Sequence, residues 1–355
     1  MNNYSFIIPT YQGKTLIINT LEALNHLIGR DQFSYQVIVV DDGSTDGTGE
    51  AINKMSLSYP LKYIYIPRTD DSSRAKARNC GIKQADGEYL IFIDGDILVP
   101  PDYLLTLNTF FKWQSDIIVV GTRKLLYEPI PYKKIQLSNL FAPQGLAAYE
   151  HGRDFRHLIF EDLSYNASAM DTPFLFALTC NLAVPKNWAE RVGGFDENLK
   201  KWGIEDIEFV YRLQQEGLRI VINSRNEVIH QFHGLKEKNV VDTTQIQEVD
   251  YNAKVFIRKY PYFLGLEKEA IHELFRSIAT HYKALEKVSP YPDKIIHFNN
   301  QSDYEKIQDE VLRNNERKEY TLVIYDEIGC TDLDIWIQLH TENTVKVKYY
   351  PKHKL

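Results

Sequence analysis

The stretch Tyr89-Leu90-Ile91-Phe92-Ile93-Asp94-Gly95-Asp96 decides the fold. Apolar and aromatic residues run without interruption into an Asp-Gly-Asp turn, as in a strand buried on both faces that ends at a polar rim. Two carboxylates flanking a glycine directly after such a strand can address one divalent cation, with positions left for phosphate oxygens. The glycine allows a sharp turn and a close backbone approach to a ligand. Taken alone, the tripeptide also fits an ordinary Asp-Gly turn, so its meaning depends on its surroundings.

Three apolar runs precede it: Phe6-Ile7-Ile8, Val37-Ile38-Val39-Val40 and Tyr63-Ile64-Tyr65-Ile66. Leucines and isoleucines at helical spacing fill Thr15 to Leu27. Ser73 to Lys83 reads as a helix whose Ala75, Ala77 and Gly81 face a sheet closely. Strands alternating with helices predict an α/β fold, a mainly parallel sheet flanked by helices, with ligands beyond the carboxyl ends of its strands. Pro9-Thr10-Tyr11, Asp41-Asp42-Gly43-Ser44 and Asp94-Gly95-Asp96 follow strands one, two and four. Three strand ends therefore converge on one crevice.

Further on, a helix is expected over Tyr103 to Trp113 and a strand over Ile117 to Val120. Residues 123–172, rich in Tyr, Phe, Pro and His, show no clean period and are expected to form a functional insertion. Patterning returns over Phe174 to Val184, and a helix is expected from Glu205 to Glu216. After Gly234 two amphipathic helices are expected, Asp242 to Lys259 and Glu267 to Lys287, joined by Tyr260-Pro261-Tyr262. A helix over Tyr304 to Asn314 and strands over Tyr320 to Tyr325 and Val345 to Tyr350 close the chain. The reading gives a catalytic domain at residues 1–235 and a C-terminal accessory region at 236–355, helices followed by a small α/β segment.

The 355 residues carry a formal charge of -7, which argues against nucleic acid as a partner but not against phosphate beside a metal or a local basic cluster. Cys80, Cys180 and Cys330 are too far apart for a metal motif or a disulfide framework and favour a reducing compartment. The N-terminus runs straight into a strand without a signal pattern, and no apolar run approaches the ~20 residues that span a bilayer. A cytoplasmic protein with no transmembrane segment is expected, free to touch a membrane surface.

Arg74 and Arg78, four apart on a helix, share a face suited to a diphosphate. Asp41 at its strand end suits a nucleoside, with Ser44 or Asp46 capping the next helix. Glu205 and Asp206 open a helix after Trp202-Gly203-Ile204, where acidic residues are also favoured by the helix dipole. An acceptor hydroxyl needs a base to take its proton; Asp206 is the candidate, with Glu205 holding the acceptor. His230 is the preferred histidine ligand for metal and His233 the fallback.

Together Ile8-Pro9-Thr10-Tyr11, Val40-Asp41-Asp42-Gly43-Ser44-Thr45-Asp46, Ala77-Arg78-Asn79-Cys80-Gly81 and Asp94-Gly95-Asp96 resemble an inverting family 2 glycosyltransferase of the GT-A fold. Gly193-Gly194-Phe195-Asp196-Glu197 through Trp202-Gly203-Ile204-Glu205-Asp206 resembles chondroitin- and hyaluronan-polymerase-like and galactosyltransferase-like members, so the resemblance covers residues 4 to 234. It implies a nucleotide-sugar donor, UDP-linked by expectation, and Mn2+ or Mg2+ as cofactor. Pro9, Thr10, Tyr11, Asp41, Arg74, Arg78, Asp94 and Gly95 would hold the donor, Asp96, Asp94 and His230 the metal. Asp206 would be the catalytic base. Ile204 departs from the glycine often found there. The acceptor is expected to be a glycan or lipid-linked sugar, with a polypeptide side chain as the alternative; segments 123–172 and 236–355 would choose it. A nucleotidyltransferase would need a glycine-rich phosphate loop after strand one, and a nicotinamide dehydrogenase a Gly-x-Gly-x-x-Gly turn; neither is present. A carbohydrate-binding scaffold would not need both Asp96 and Asp206.

Overall fold

The four N-terminal apolar runs form β1 (Asn2–Thr10), β2 (Phe33–Asp41), β3 (Leu61–Tyr65) and β4 (Tyr89–Phe92). All are parallel, with Ile8 opposite Val39 and Ile7 opposite Phe92. The chain is described by a computed structural model over residues 1–136, 140–162, 164–170, 172–234, 243–277, 291–341 and 347–352. β5 (Ile97–Leu98), β6 (Ile117–Leu126), β7 (His151–Arg153), β8 (Leu182–Pro185) and β9 (Arg219–His230) complete the main sheet. Its order is β3-β2-β1-β4-β8-β6-β9-β5, with β7 on β6. β8 runs antiparallel to β4 and β6, β6 and β9 are parallel, and β5 is antiparallel to β9. The mainly parallel sheet flanked by helices is as expected.

Helix Arg74–Gln84 starts where Ser73 accepts from the Lys76 N–H. A Cβ on its Gly81 would lie 2.5 Å from Ile7 Cγ2, so only glycine lets this helix sit so close to β1. Ala75 and Ala77 are buried on the same contact, as the small residues predicted. Segment 123–172 is less irregular than its sequence. It holds the end of β6, short helices at Tyr132–Gln136 and Arg156–Asp162, β7, and a 3₁₀ turn at Ala167–Ala169. Each piece is too short to show a period, which is why the pattern was unreadable.

Helices Thr243–Lys259 and Lys268–Arg276 place Val249, Ala253, Phe256, Ile271 and Phe275 in the core cluster that also holds Ile7, Phe92 and Phe209. The second helix, expected to run to Lys287, ends at Arg276, where Ser277 leaves helical geometry at φ -130°; residues 278–287 lie outside the described residues. A separate sheet follows: β10 (Asp293–Phe298), β11 (Thr321–Asp326) and β12 (Val347–Pro351), parallel and in that order. It packs its own core, including Phe298, Ile324 and Tyr349, against helices Tyr304–Arg317 and Thr331–His340. β10 and the helix Thr331–His340 were not anticipated; β10 exposes Lys294 and Ile295 and lacks a clean alternation.

Candidate active site

The site begins in the loops after β1 and β2, which are laced together. Ser44 Oγ accepts from Gln12 N–H at 2.8 Å, Gln12 Oε1 accepts from Thr45 N–H at 3.0 Å, and Asp46 Oδ2 accepts from Lys14 N–H at 3.0 Å. Beside them, Pro9, Thr10, Tyr11, Arg74, Asp94, Gly95 and Asp96 line one pocket of about 340 Å³ at the carboxyl ends of the strands. That is the crevice the strand ends predicted. A Cβ on Gly95 would meet the Pro9 carbonyl at 3.2 Å, so the glycine lets the acidic turn close against β1.

Asp41 is only 1% exposed, and its two oxygens accept from Ser44 N–H (2.8 Å) and the Tyr63 hydroxyl (2.7 Å). It braces the loop, and its neighbour Asp42 lines the pocket instead. Asp42 pairs with Arg68 at 2.6 Å, and the Arg68 guanidinium stacks over the Tyr11 ring at 3.8 Å. Arg68, Lys200, Lys201, Trp202 and Glu248 are further lining residues. Of these, only Trp202 lies in a motif singled out above; the others carry no spacing signal.

Arg78 is 2% exposed and bridges two carboxylates: Asp94 Oδ1 at 2.9 Å and Glu205 Oε1 at 3.1 Å. Expected to face a diphosphate, it is buried with both Nη atoms on these carboxylates, while Arg74 remains exposed in the pocket wall. Glu205, expected to hold an acceptor, is likewise buried on Arg78, because the helix Glu205–Gln215 turns it inward. Burial works to raise the Asp94 carboxyl, but Arg78 and Arg74 outweigh it and hold it below the usual range. Asp206, half-buried next door, accepts from the N–H groups of Ile207 (3.0 Å) and Thr179 (3.4 Å). Burial first, then the charge of Glu205, push Asp206 up to about 7, against the pull of Arg78.

β5 pairs Ile97 with His230, which carries the end of β9 to Asp96. His230 Nε2 and His233 Nε2 lie 3.3 and 3.5 Å from Asp96 Oδ2. One ligand atom from each of Asp96, His230 and His233 lies within 4.8 Å of the others, so both histidines join the acid. Asp96 Oδ1 is buried without a hydrogen-bond partner, as a ligand oxygen for a cation would be. One carboxylate and two imidazoles suit a divalent cation of the Mn2+ kind. Asp94 stands apart from this group, engaged by Arg78. Burial lowers the His230 pKa, which favours the neutral form that ligates.

A mainly parallel sheet that delivers an acidic pair and a pocket of about 340 Å³ at its carboxyl edge, with two histidines returning on a later strand, is a glycosyltransferase fold of the GT-A type. Residues 5–167 match Glycosyl transferase family 2, and residues 164–236 match the N-terminal domain of galactosyltransferase. The chain thus carries a glycosyl transferase family 2 domain at residues 5–167. It is 30% identical over 268 residues to validoxylamine A glucosyltransferase of Streptomyces hygroscopicus subsp. limoneus, covering 73% of this chain and 57% of the relative. It is 27% identical over 281 residues to chondroitin synthase of Escherichia coli, covering 74% and 39%. The chain thus spans less than two thirds of the length of these relatives. A mannosyltransferase from Pyrobaculum calidifontis, solved with GDP-Man and Mn2+, has the same fold at a TM-score of 0.52 and 20% identity, over 79% of this chain and 72% of that one.

Proposed function

We propose that the protein is an inverting, metal-assisted glycosyltransferase that moves a sugar from a UDP-sugar donor to an acceptor hydroxyl. The observation that carries this reading is the grouping of Asp96, His230 and His233 beside a pocket walled by Pro9, Thr10, Tyr11 and Arg74. A cation held by these three, Mn2+ or Mg2+, would neutralise the leaving diphosphate. Asp42, Arg68 and Tyr11 form the nucleoside end, braced from below by Asp41. Arg74 and Lys201 offer positive charge to the diphosphate. Asp206 takes the acceptor proton from the face opposite the leaving group, which implies inversion. Arg78 fixes Asp94 and Glu205, and through Glu205 sets the basicity of its neighbour.

The acceptor in this reading is a glycan or lipid-linked sugar. Two relatives support it by name: chondroitin synthase and the poly(ribitol-phosphate) beta-N-acetylglucosaminyltransferase TarS of Staphylococcus aureus, the latter 32% identical over 134 residues, 37% of this chain and 23% of the relative. Residues 1–235 form the catalytic domain, and the region beyond works with it, since Glu248 reaches the pocket wall. No helix among the described residues is long and apolar enough to cross a membrane. The reaction is expected to run in the cytoplasm, and peripheral contact with a membrane surface is compatible with it.

Incubation with Mn2+ and a panel of nucleotide sugars, followed by measurement of released nucleoside diphosphate, tests the reading. UDP release from at least one UDP-sugar is expected; no metal-dependent release across the panel overturns it. Asp96→Asn is expected to weaken metal-dependent donor binding by at least about tenfold, since it removes a charged ligand. Unchanged affinity by calorimetry would remove Asp96 from the metal site.

A further inference from the structure

Arg123 belongs to none of the motifs that identify the family, and it opens the segment without a clean period. On β6 it pairs with Val228, and Leu125 pairs with His230. Alternate strand residues share a face, so Arg123 emerges on the same face as His230, about 7 Å back along the sheet. Its Nε donates to Asp154 Oδ2 at 2.8 Å, and the Asp154 side chain is only 4% exposed. The same oxygen holds Arg156, which is 0% exposed and also donates to the Phe176 carbonyl at 3.1 Å. One carboxylate therefore serves two guanidinium groups, and the cluster keeps one positive charge in excess.

Arg156 is enclosed, so that excess charge shows itself at Arg123. The Arg123 side chain is 18% exposed, and among the described residues its two Nη atoms make no hydrogen bond. Its strand runs beside the segment that carries Cys180, because the Gly121 N–H donates to the Asn181 carbonyl at 3.0 Å. Cys180 follows Thr179, the residue whose N–H donates to Asp206. Arg123 therefore shares a sheet face with the metal-ligand His230 and lies on the strand beside the segment whose Thr179 holds the base, the side from which an acceptor hydroxyl would reach Asp206. It stands outside the residues that line the donor pocket, where Arg74 and Lys201 already offer positive charge.

We propose that Arg123, clamped at Nε by Asp154, binds an oxyanion on the acceptor through its free Nη fork, so that the enzyme selects an acidic acceptor, a carboxylated or phosphorylated sugar or polyol. A planar fork matches carboxylate and phosphate geometry alike. This assignment rests on the glycosyltransferase reading above. It gives the segment that begins at Arg123 a task, and it explains why Asp154 and Arg156 are buried there as an ion pair.

The test uses the full chain loaded with UDP and Mn2+, titrated with glucuronate, glucuronamide, glycerol 3-phosphate and glycerol, with binding followed by saturation-transfer NMR. At least one acidic probe is expected to bind about tenfold more tightly than its neutral counterpart, the range for a hydrogen bond to a charged group. In Arg123→Gln that preference is expected to disappear while UDP affinity by calorimetry stays within about twofold of wild type. Asp154 keeps Arg156 in this variant, so the fold is expected to survive; Arg123→Lys, which retains the charge but not the fork, is expected to keep part of the preference. A preference for glucuronate over glycerol 3-phosphate assigns a carboxylate, the reverse a phosphate. Equal binding of acidic and neutral probes to wild type overturns the proposal, as does a preference that persists in Arg123→Gln. A tenfold loss of UDP affinity in that variant also overturns it, by assigning Arg123 to the diphosphate. Failure of wild type to bind UDP would sink the glycosyltransferase reading itself, and this proposal with it.

Discussion

Asp206 sits where two demands meet. Its carboxyl must be ionised to take a proton, yet burial and the neighbouring Glu205 push it up to about 7. A base with a pKa near the working pH is both available and strong enough to act. In the proposed mechanism turnover therefore falls by about tenfold per unit below pH ~7, and a profile flat from about pH 5 to 8 would exclude Asp206 as the base. Asp206→Asn is expected to cut turnover by at least ~10²-fold with donor affinity intact. The stability effect has the opposite sense. Below the unfolded value of 3.8 the group is neutral in both states, and above about 7 it is charged in both, at a cost in the folded one. Its contribution is thus fully present at low pH and lost as pH rises through about 7. Asp206→Asn is expected to melt higher than wild type at about pH 8, with the gain shrinking toward pH ~4 in thermal denaturation.

At the scale of elements, the approach to Glu205 and Asp206 is strained. Gly203 and Ile204 have φ of +84° and +75°, and a β-branched residue in the left-handed region is costly. Helix Thr243–Lys259 holds that turn through Asn252, which is 0% exposed. Its Nδ2 donates to the carbonyls of Lys201 (2.9 Å) and Gly203 (2.6 Å), and its Oδ1 accepts from Lys201 N–H at 3.2 Å. Asn252→Ala is expected to cost about 1–3 kcal/mol in denaturant unfolding, by leaving buried carbonyls unpaired. It is also expected to lower kcat more than donor affinity, because the loop positions the acidic pair. A loss of stability with unchanged kcat would confine Asn252 to the scaffold. The acidic pair itself was legible as a helix start. The clamp was not, since an asparagine within an amphipathic helix carries no sign of the backbone it will meet about 50 residues back in the chain.

At the scale of the molecule, the C-terminal sheet is fastened to the edge of the main one. β9 carries His230 at its far end, while its Ile222 N–H and C=O turn away from β6 and are met by Gln338 Oε1 (2.8 Å) and Nε2 (2.9 Å). A side-chain amide thus stands in for a neighbouring strand and closes an exposed edge. Arg225 donates to the Gly329 carbonyl at 2.7 Å, and Asn166 to the Val347 carbonyl at 2.8 Å, as further ties. Gln338→Ala is expected to lower stability by about 1–3 kcal/mol and to speed hydrogen exchange at the Ile222 amide. Unchanged protection there would mean that the two sheets hold together without this contact.

By itself the sequence determined the parallel sheet, the crevice at its carboxyl edge and the acidic turns that face it. Those follow from local rules: uninterrupted apolar runs, helical spacing, and small residues where a helix meets a strand. Only the tertiary structure decided which acidic groups are free. Asp41 and Glu205 looked like ligand contacts, yet they are buried on Tyr63, Ser44 and Arg78, and Asp42 faces the pocket instead. Only tertiary structure could bring His233 alongside His230 at Asp96, or give Arg123 an open fork. A carboxylate or guanidinium takes its role from the partner opposite it, and that partner is set by packing between elements far apart in the chain.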